Sequence, residues 1–223
     1  MPLRSGMPMK IAELFSSIQG ESTFAGLPCT FVRTAGCNLR CSYCDTLYAR
    51  EGGTEMTVGH ICRVVKEAGI ALVELTGGEP LLQEESYRLM DCLLGEGYRV
   101  LLETNGSVSV ERLDKRVIKI MDLKCPGSGM SGHMMFSNLD LLNPDDEIKC
   151  VISDKADFDW AVRIIRDYRL VERCSVLISP VLQRLMPAQA AEWILQERLP
   201  VRLQLQQHKL IWPEKASGPA GGY

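Results

Sequence analysis

Cys37, Cys41 and Cys44 stand at C-x3-C-x2-C spacing within residues 36–46, which read G-C-N-L-R-C-S-Y-C-D-T. Thiolate is a soft donor that selects iron–sulfur clusters, zinc or Cu(I). A structural zinc site closes a tetrahedron with four ligands, and a [4Fe–4S] cluster ordinarily takes four cysteines. Three ligands in close succession, with no fourth beside them, point to a cluster with one iron left open. An open metal position is where chemistry happens rather than where a fold is stapled.

The chain around this triplet has 223 residues, of which 46% are hydrophobic, enough for one full-sized core. Lys and Arg number 25 against 28 Asp and Glu, a net charge of −3. That balance argues against nucleic acid or an anionic membrane surface as a direct partner. No apolar run approaches a membrane span, and residues 1–10 lack the apolar core of a signal peptide. The expectation is a cytoplasmic protein. Its other cysteines, Cys29, Cys62, Cys92, Cys125, Cys150 and Cys174, are scattered singly and read as small buried hydrophobes rather than disulfide partners.

The elements that must position the triplet alternate between two periods. Strands are expected at 9–14, 30–34, 70–75, 98–102, 117–121, 147–152, 174–178 and 201–206, with residues 16–22 as a polar turn. Helices are expected at 57–68 with Thr57 as N-cap, at 84–94 with Tyr87, Met90 and Leu94 on one face, at 156–168, and from Pro187 to about residue 197. Such alternation builds a mostly parallel sheet with helices outside. The chain is short for a closed barrel of about 250 residues, so an α/β partial barrel of about six core strands is expected. It would form a single domain over residues 1–212, followed by a loose Gly/Ala/Pro tail at 213–223. Successive strands end in polar clusters: T-G-G-E, E-T-N, D-L-K, S-P and Q-H-K, with Lys149 inside its own strand. In parallel α/β sheets those carboxyl ends face the active site.

With the triplet and the T-G-G-E-P of residues 76–80 both in place, the chain resembles radical S-adenosylmethionine (SAM) enzymes. Ile18-Gln19-Gly20-Glu21, Gly26-x-Pro28, Phe31-Val32-Arg33, the extended cysteine motif, E-T-N-G and Gln206-x-His208-Lys209 narrow this. Together they are similar to the 7-carboxy-7-deazaguanine synthase family over about residues 11–209. The tail after Trp212 is longer than the compact family end, and residues 126–135 are richer in Gly and Met.

The resemblance implies a partial barrel of the radical SAM type and a lyase. The reaction would be radical ring contraction of 6-carboxy-5,6,7,8-tetrahydropterin with loss of ammonia, a step of 7-deazapurine and queuosine biosynthesis whose product serves either tRNA modification or a secondary metabolite. It implies a [4Fe–4S] cluster on Cys37, Cys41 and Cys44, whose open iron chelates SAM. It further implies SAM contacts from Tyr43, Asp45, Gly77, Gly78, Glu79, Glu103, Asn105, Lys124 and Ser179. Ile18, Gln19, Gly20, Glu21, Arg33, Thr76 and His208 would bind substrate, with Gln19 and Glu21 on the pterin edge and Arg33 on the carboxylate. Thr46 would help hold Mg2+, a cation that prefers oxygen ligands. An electron donor such as flavodoxin or ferredoxin, and a homodimer, complete the implied partners.

Blander roles stand beside these. Thr46 could cap a turn, Arg33 could be a surface charge, Gly77 and Gly78 an ordinary turn, His208 a structural or solvated histidine. Residues 126–135 could be a lid or a loose connection. No protein acid or base is assigned. A glycyl-radical activating enzyme, or a non-catalytic zinc or iron–sulfur module, are the competing functions. Anaerobically reconstituted protein is expected to be brown and to hold about four irons per chain. Colourless protein with stoichiometric zinc overturns the cluster assignment.

Overall fold

The continuous apolar runs become parallel strands, and the helical-period stretches between them become the covering helices. The structure is a computed structural model and describes residues 7–213. Its elements are β1 (Met9–Ile18), β2 (Pro28–Thr34), β3 (Thr54–Met56), α1 (Val58–Ala68), β4 (Leu72–Gly77), α2 (Glu84–Gly95) and β5 (Arg99–Thr104). There follow β6 (Ile118–Lys124), β7 (Glu147–Ile152), α3 (Lys155–Asp167), β8 (Ser175–Pro180), α4 (Pro187–Glu197), β9 (Arg202–Leu203) and α5 (Gln207–Ile211).

One open, nine-stranded sheet runs β3-β1-β2-β4-β5-β6-β7-β8-β9. From β2 to β9 every neighbour is parallel, while β1 is antiparallel to β2 and β3. The expected core of about six strands is therefore β2 and β4 to β8, flanked by shorter or antiparallel ones.

Because side chains alternate across a strand, each central strand contributes to two surfaces. Val73 and Leu75, Val100 and Leu102, Met121 and Leu123, and Ile148 and Cys150 point into the main core, where Ile61, Val65, Leu89, Leu93 and Phe158 of the helices meet them. The intervening positions face the other way and become polar toward the strand ends: Thr76, Glu103, Asp122 and Lys149. The sequence alternation thus decides which residues can reach a ligand.

Helix ends follow their capping chemistry. The Thr57 side chain accepts from His60 N, Gly69 closes α1 at φ 66°, and Asp154 caps α3 by accepting from Asp157 N. Tyr87 departs from the expected buried face of α2. Leu89, Met90, Leu93 and Leu94 are buried, while Tyr87 is half-buried with the Arg112 guanidinium 4.3 Å from its ring centre.

Three expectations are corrected. β1 continues to Ile18, because Ser16 and Ser17 still pair with Thr30 and Cys29 instead of turning. β9 shrinks to two residues, because the chain leaves the sheet after Gln204 and Gln207 N donates to Gly20 O at 2.8 Å. Residues 126–135 are neither a lid nor a loose connection. Gly127 and Ser128 carbonyls accept from Ser42 Oγ at 2.7 Å and Ser42 N at 3.0 Å, and Gly127 N donates to Asp157 Oδ1. This segment braces the cysteine loop. The expected tail lies, apart from Pro213, outside the described residues. No helix among those residues is long and apolar enough to cross a membrane.

Lys119 and Asp146 form a buried ion pair at 2.7 Å with side chains 4% and 0% exposed. Removing one member strands the other charge. Lys119→Met is therefore expected to cost about 3–5 kcal/mol, measured as a lower denaturant midpoint in urea.

Candidate active site

The inner-face polar residues line two adjoining chambers. An open chamber of ≈ 880 Å³ lies over β1, β2 and β4. The structure brings Ile18, Gln19, Gly20, Glu21, Arg33, Thr76 and His208 together in its wall, with Glu74 and Lys149 beside them. A larger one of ≈ 2230 Å³ opens beside the cysteine loop. Cys37, Cys41, Cys44 and Thr46 line it, as do Tyr43, Asp45, Gly77, Gly78, Glu103, Asn105, Lys124 and Ser179. Glu21, Arg33, Thr76, Glu103, Lys149 and His208 border both.

Lys149 is the hub of that border. Its ammonium lies 3.0 Å from Glu21 and 3.8 Å from Asp122, and it pairs closely with Glu103. Burial opposes its charge, but Glu103, Glu21 and Asp122 outweigh burial and hold its pKa well above that of an ordinary lysine. Burial likewise works against Glu103, yet Lys149 and the 2.9 Å hydrogen bond donated by Thr76 Oγ1 keep it ionised below the usual carboxylate value. Glu74 goes the other way. It is 3% exposed, and burial, then the negative charges of Glu103 and Glu21, raise it well above a normal carboxyl.

The chamber's outer wall comes from the far end of the chain. Gln206 Nε2 donates to Glu21 Oε1 at 2.7 Å, and Lys209 pairs with Asp45 at 3.0 Å. Gly20 is required here, since a Cβ would lie 2.3 Å from His208 Nδ1. His208 sits in the short helix α5, not at a strand end as expected. Burial lowers its pKa against the pull of Glu21, so the imidazole is held neutral at pH 7. Arg33 uses Nε on Glu13 Oε2 at 2.9 Å, and its terminal nitrogens have no hydrogen-bond partner among the described residues. Gln19 is more committed than expected: its Oε1 accepts from Glu21 N and its Nε2 donates to Glu74.

Around the second chamber all three motif cysteines are free and half-buried. Burial raises the Cys41 thiol, while Lys124 pulls it down. Among the described residues no three His, Cys, Asp or Glu side chains gather round one point as a single ion would need. Three soft thiolates on one loop, lining one chamber, are the donor set that suits a [4Fe–4S] cluster.

The T-G-G-E turn and the cysteine loop meet backbone to backbone. A Cβ on Gly78 would lie 2.1 Å from Gly36 O, and Gly77, at φ 139°, would place one 2.3 Å from Thr34 O. Thr46 precedes the turn Leu47–Arg50 without capping it, and its Oγ1 lies 3.8 Å from Cys44 Sγ. Asn105 Nδ2 donates to Asn38 Oδ1 at 3.1 Å beside Cys37, Tyr43 OH donates to Val151 O, and Lys124 pairs with Asp122 Oδ2 at 2.7 Å. Asp122 Oδ1 is buried and has no hydrogen-bond partner among the described residues.

Glu79 departs from the expected direct cofactor contact. It is fully buried and outside the chamber lining, and it accepts from Leu81 N, Thr104 Oγ1 and Asn105 N, tying the end of β4 to that of β5. Glu74 is the lining residue that sequence reading left out, while Asp122 and Lys149 stood among the polar strand residues but received no role. Their signal was present as charged residues on the inner-face register of otherwise apolar strands.

The sequence profile of the Radical SAM superfamily matches residues 31–181. The chain is 47% identical to the 7-carboxy-7-deazaguanine synthase of Chlorobaculum tepidum, covering 95% of this chain and 97% of that one. It is 44% identical to that of Koribacter versatilis, covering 94% and 100%. The fold is similar to QueE from Escherichia coli, with a TM-score of 0.74 at 22% identity over 89% of this chain and 94% of that one.

The packing of Gly78 yields a test. Gly78→Ala is expected to keep its circular dichroism spectrum but retain several-fold less iron after reconstitution, because the added carbon displaces the loop that carries the cysteines.

Proposed function

The chain belongs to the 7-carboxy-7-deazaguanine synthase family of the radical SAM superfamily, and on that premise we propose how its two chambers divide the reaction. The enzyme is a lyase that converts 6-carboxy-5,6,7,8-tetrahydropterin to 7-carboxy-7-deazaguanine with loss of ammonia, using a [4Fe–4S] cluster and SAM. The larger chamber holds those cofactors and the smaller one the pterin. The observation that carries this division is the shared border, where Arg33, Thr76, Glu103 and Lys149 face both spaces.

Cys37, Cys41 and Cys44 hold the cluster. When bound, cluster and SAM supply a 5′-deoxyadenosyl radical, the agent of hydrogen abstraction. The protein's own work is binding, orientation and exclusion of water. Asn105, Lys124 and Ser179, with the Asp122 carboxylate, offer SAM its polar contacts. Gly77 and Gly78 bring backbone close to the cysteine loop, and Glu79 fixes that turn from behind. Tyr43 and Asp45 complete the wall.

In the smaller chamber the terminal nitrogens of Arg33 take the substrate carboxylate in a bidentate fork. Glu21, Thr76 and His208 surround the ring, Ile18 and Gly20 form the floor beneath it, and Glu103, on the shared border, stands between the ring and SAM. Lys149 fixes the two carboxylates so that neither turns on the anionic substrate. Thr46, beside the thiols on the lining of the larger chamber, would give its hydroxyl to Mg2+, a cation that prefers oxygen ligands and would offset the charge of the anionic substrate.

A one-electron carrier of the flavodoxin or ferredoxin type reduces the cluster. The enzyme works as a homodimer in the cytoplasm, touches no nucleic acid itself, and sends its product to modified tRNA. Residues 1–212 act as one domain.

The test is anaerobic assay with the pterin, SAM, reductant and Mg2+, with product identified by mass. Cys41→Ala is expected to abolish both iron retention and SAM cleavage. Thr46→Ala is expected to keep the cluster but lose most of the rate gained on adding Mg2+. A Thr46 variant that responds to Mg2+ like the parent overturns the metal assignment.

A further inference from the structure

The inner end of the substrate chamber holds a carboxyl group that the reaction so far leaves without a role. Glu74 lies on β4 two residues before Thr76, on the same face. Thr76 is paired in register with Arg33, and Glu74 with Phe31. At about 3.3 Å per residue in parallel strands, Glu74 sits roughly 7 Å further along the chamber than the Arg33–Thr76 pair. Phe15 and Phe31, stacked with centroids 5.1 Å apart, and Ile120 make that end apolar and flat.

A fused bicycle with its carboxylate at Arg33 reaches this end with the far side of its pyrimidine ring, where N3–H stands between the 2-amino and 4-oxo groups. That edge presents a ring N–H donor beside a carbonyl acceptor. A neutral carboxyl group presents the complement, a carbonyl acceptor beside an O–H donor.

We propose that Glu74 is a further specificity-determining residue, whose carboxyl group, oriented by Gln19, pairs with the N3–H and 4-oxo group of the pterin. This rests on the assignment of the smaller chamber to the substrate. The Gln19 amide is itself locked, since its Oε1 accepts from Glu21 N, so Nε2 must face Glu74 Oε2. That bond marks Oε2 as the carbonyl oxygen. Oε1, which has no hydrogen-bond partner among the described residues, is left as the hydroxyl. The charges facing Glu74 favour this state: Glu103 and Glu21 repel a further carboxylate more than Lys149 and Arg33 attract one, and burial adds to the effect. No proton is transferred on binding; two hydrogen bonds form and water is displaced.

The test compares affinities of wild type, Glu74→Gln and Glu74→Ala for the substrate and for its 4-deoxy analogue, with SAM cleavage in the absence of substrate as the control. Glutamine keeps one donor and one acceptor without charge, so Glu74→Gln is expected to bind within about threefold of wild type. Glu74→Ala is expected to lose roughly tenfold or more for the substrate, as a buried hydrogen bond of about 1–2 kcal/mol requires, but under threefold for the analogue, which lacks the oxo group. Losses that add independently for residue and ligand overturn the pairing, as does a Glu74→Gln variant as weak as Glu74→Ala. A wild type that neither binds nor converts the pterin counts against the chamber assignment itself; conversion by wild type with additive losses counts against Glu74 alone.

Discussion

A buried ammonium surrounded by carboxylates governs this molecule. Lys149 is an inward-facing residue of a central strand, and it can be charged there only because Glu21, Glu103 and Asp122 converge on it. Such clusters seldom add stability over a well-packed apolar core. What this one provides is geometry. It joins β7 to β5 and β6 and to the turn after β1, the elements that border both chambers. Against burial, the same ammonium holds Glu103 below the usual carboxylate value, while Glu74, further along the wall, is raised by burial and by the charges of Glu103 and Glu21 in spite of it. Two acids with opposed environments are a common way for one site to present both an acceptor and a donor.

The cysteine loop depends on a different constraint, the contact of bare backbone with bare backbone. Gly77 and Gly78 let the end of β4 lie against residues 34–37, and Glu79 N donates to Gly36 O at 2.8 Å. The glutamate side chain then anchors that turn to β5 from the core side. A motif that reads as a ligand contact thus acts in large part as a joint, holding three thiols against the strand ends that carry the remaining polar groups.

Much of this was legible in the residues. Alternating strand and helix periods gave the order of the elements, and Thr57, Pro187 and the polar strand ends marked caps and the active face. The substrate residues expected from motif likeness all fall in one chamber. What escaped notice has a common physical origin. Glu74 sits in the run I-A-L-V-E-L, which reads as a buried strand, and nothing local says that its carboxyl faces a cavity rather than a core. The bracing role of residues 126–135 depends on Ser42 and Asp157, both distant in sequence. The shortening of β9 follows from Gln207 N bonding to Gly20 O and Gln206 to Glu21, the latter pair 185 residues apart. Local periodicity carries no information about such partners.

That last separation has an effect on how the protein comes into being. The cysteine loop, the glycine turn and the strands that hold them are all made before residue 181, so a chain emerging from the ribosome can bring the three thiols together before either chamber is walled. Both chambers gain their outer wall only when residues 206–209 arrive and Gln207 meets Gly20, since His208 lines each and Gln206 and Lys209 line the larger. Loop closure over such a span is among the slowest contacts a chain makes. The thiols are therefore gathered before the wall that encloses them exists, and a chain interrupted late in synthesis would present its cysteine loop unshielded.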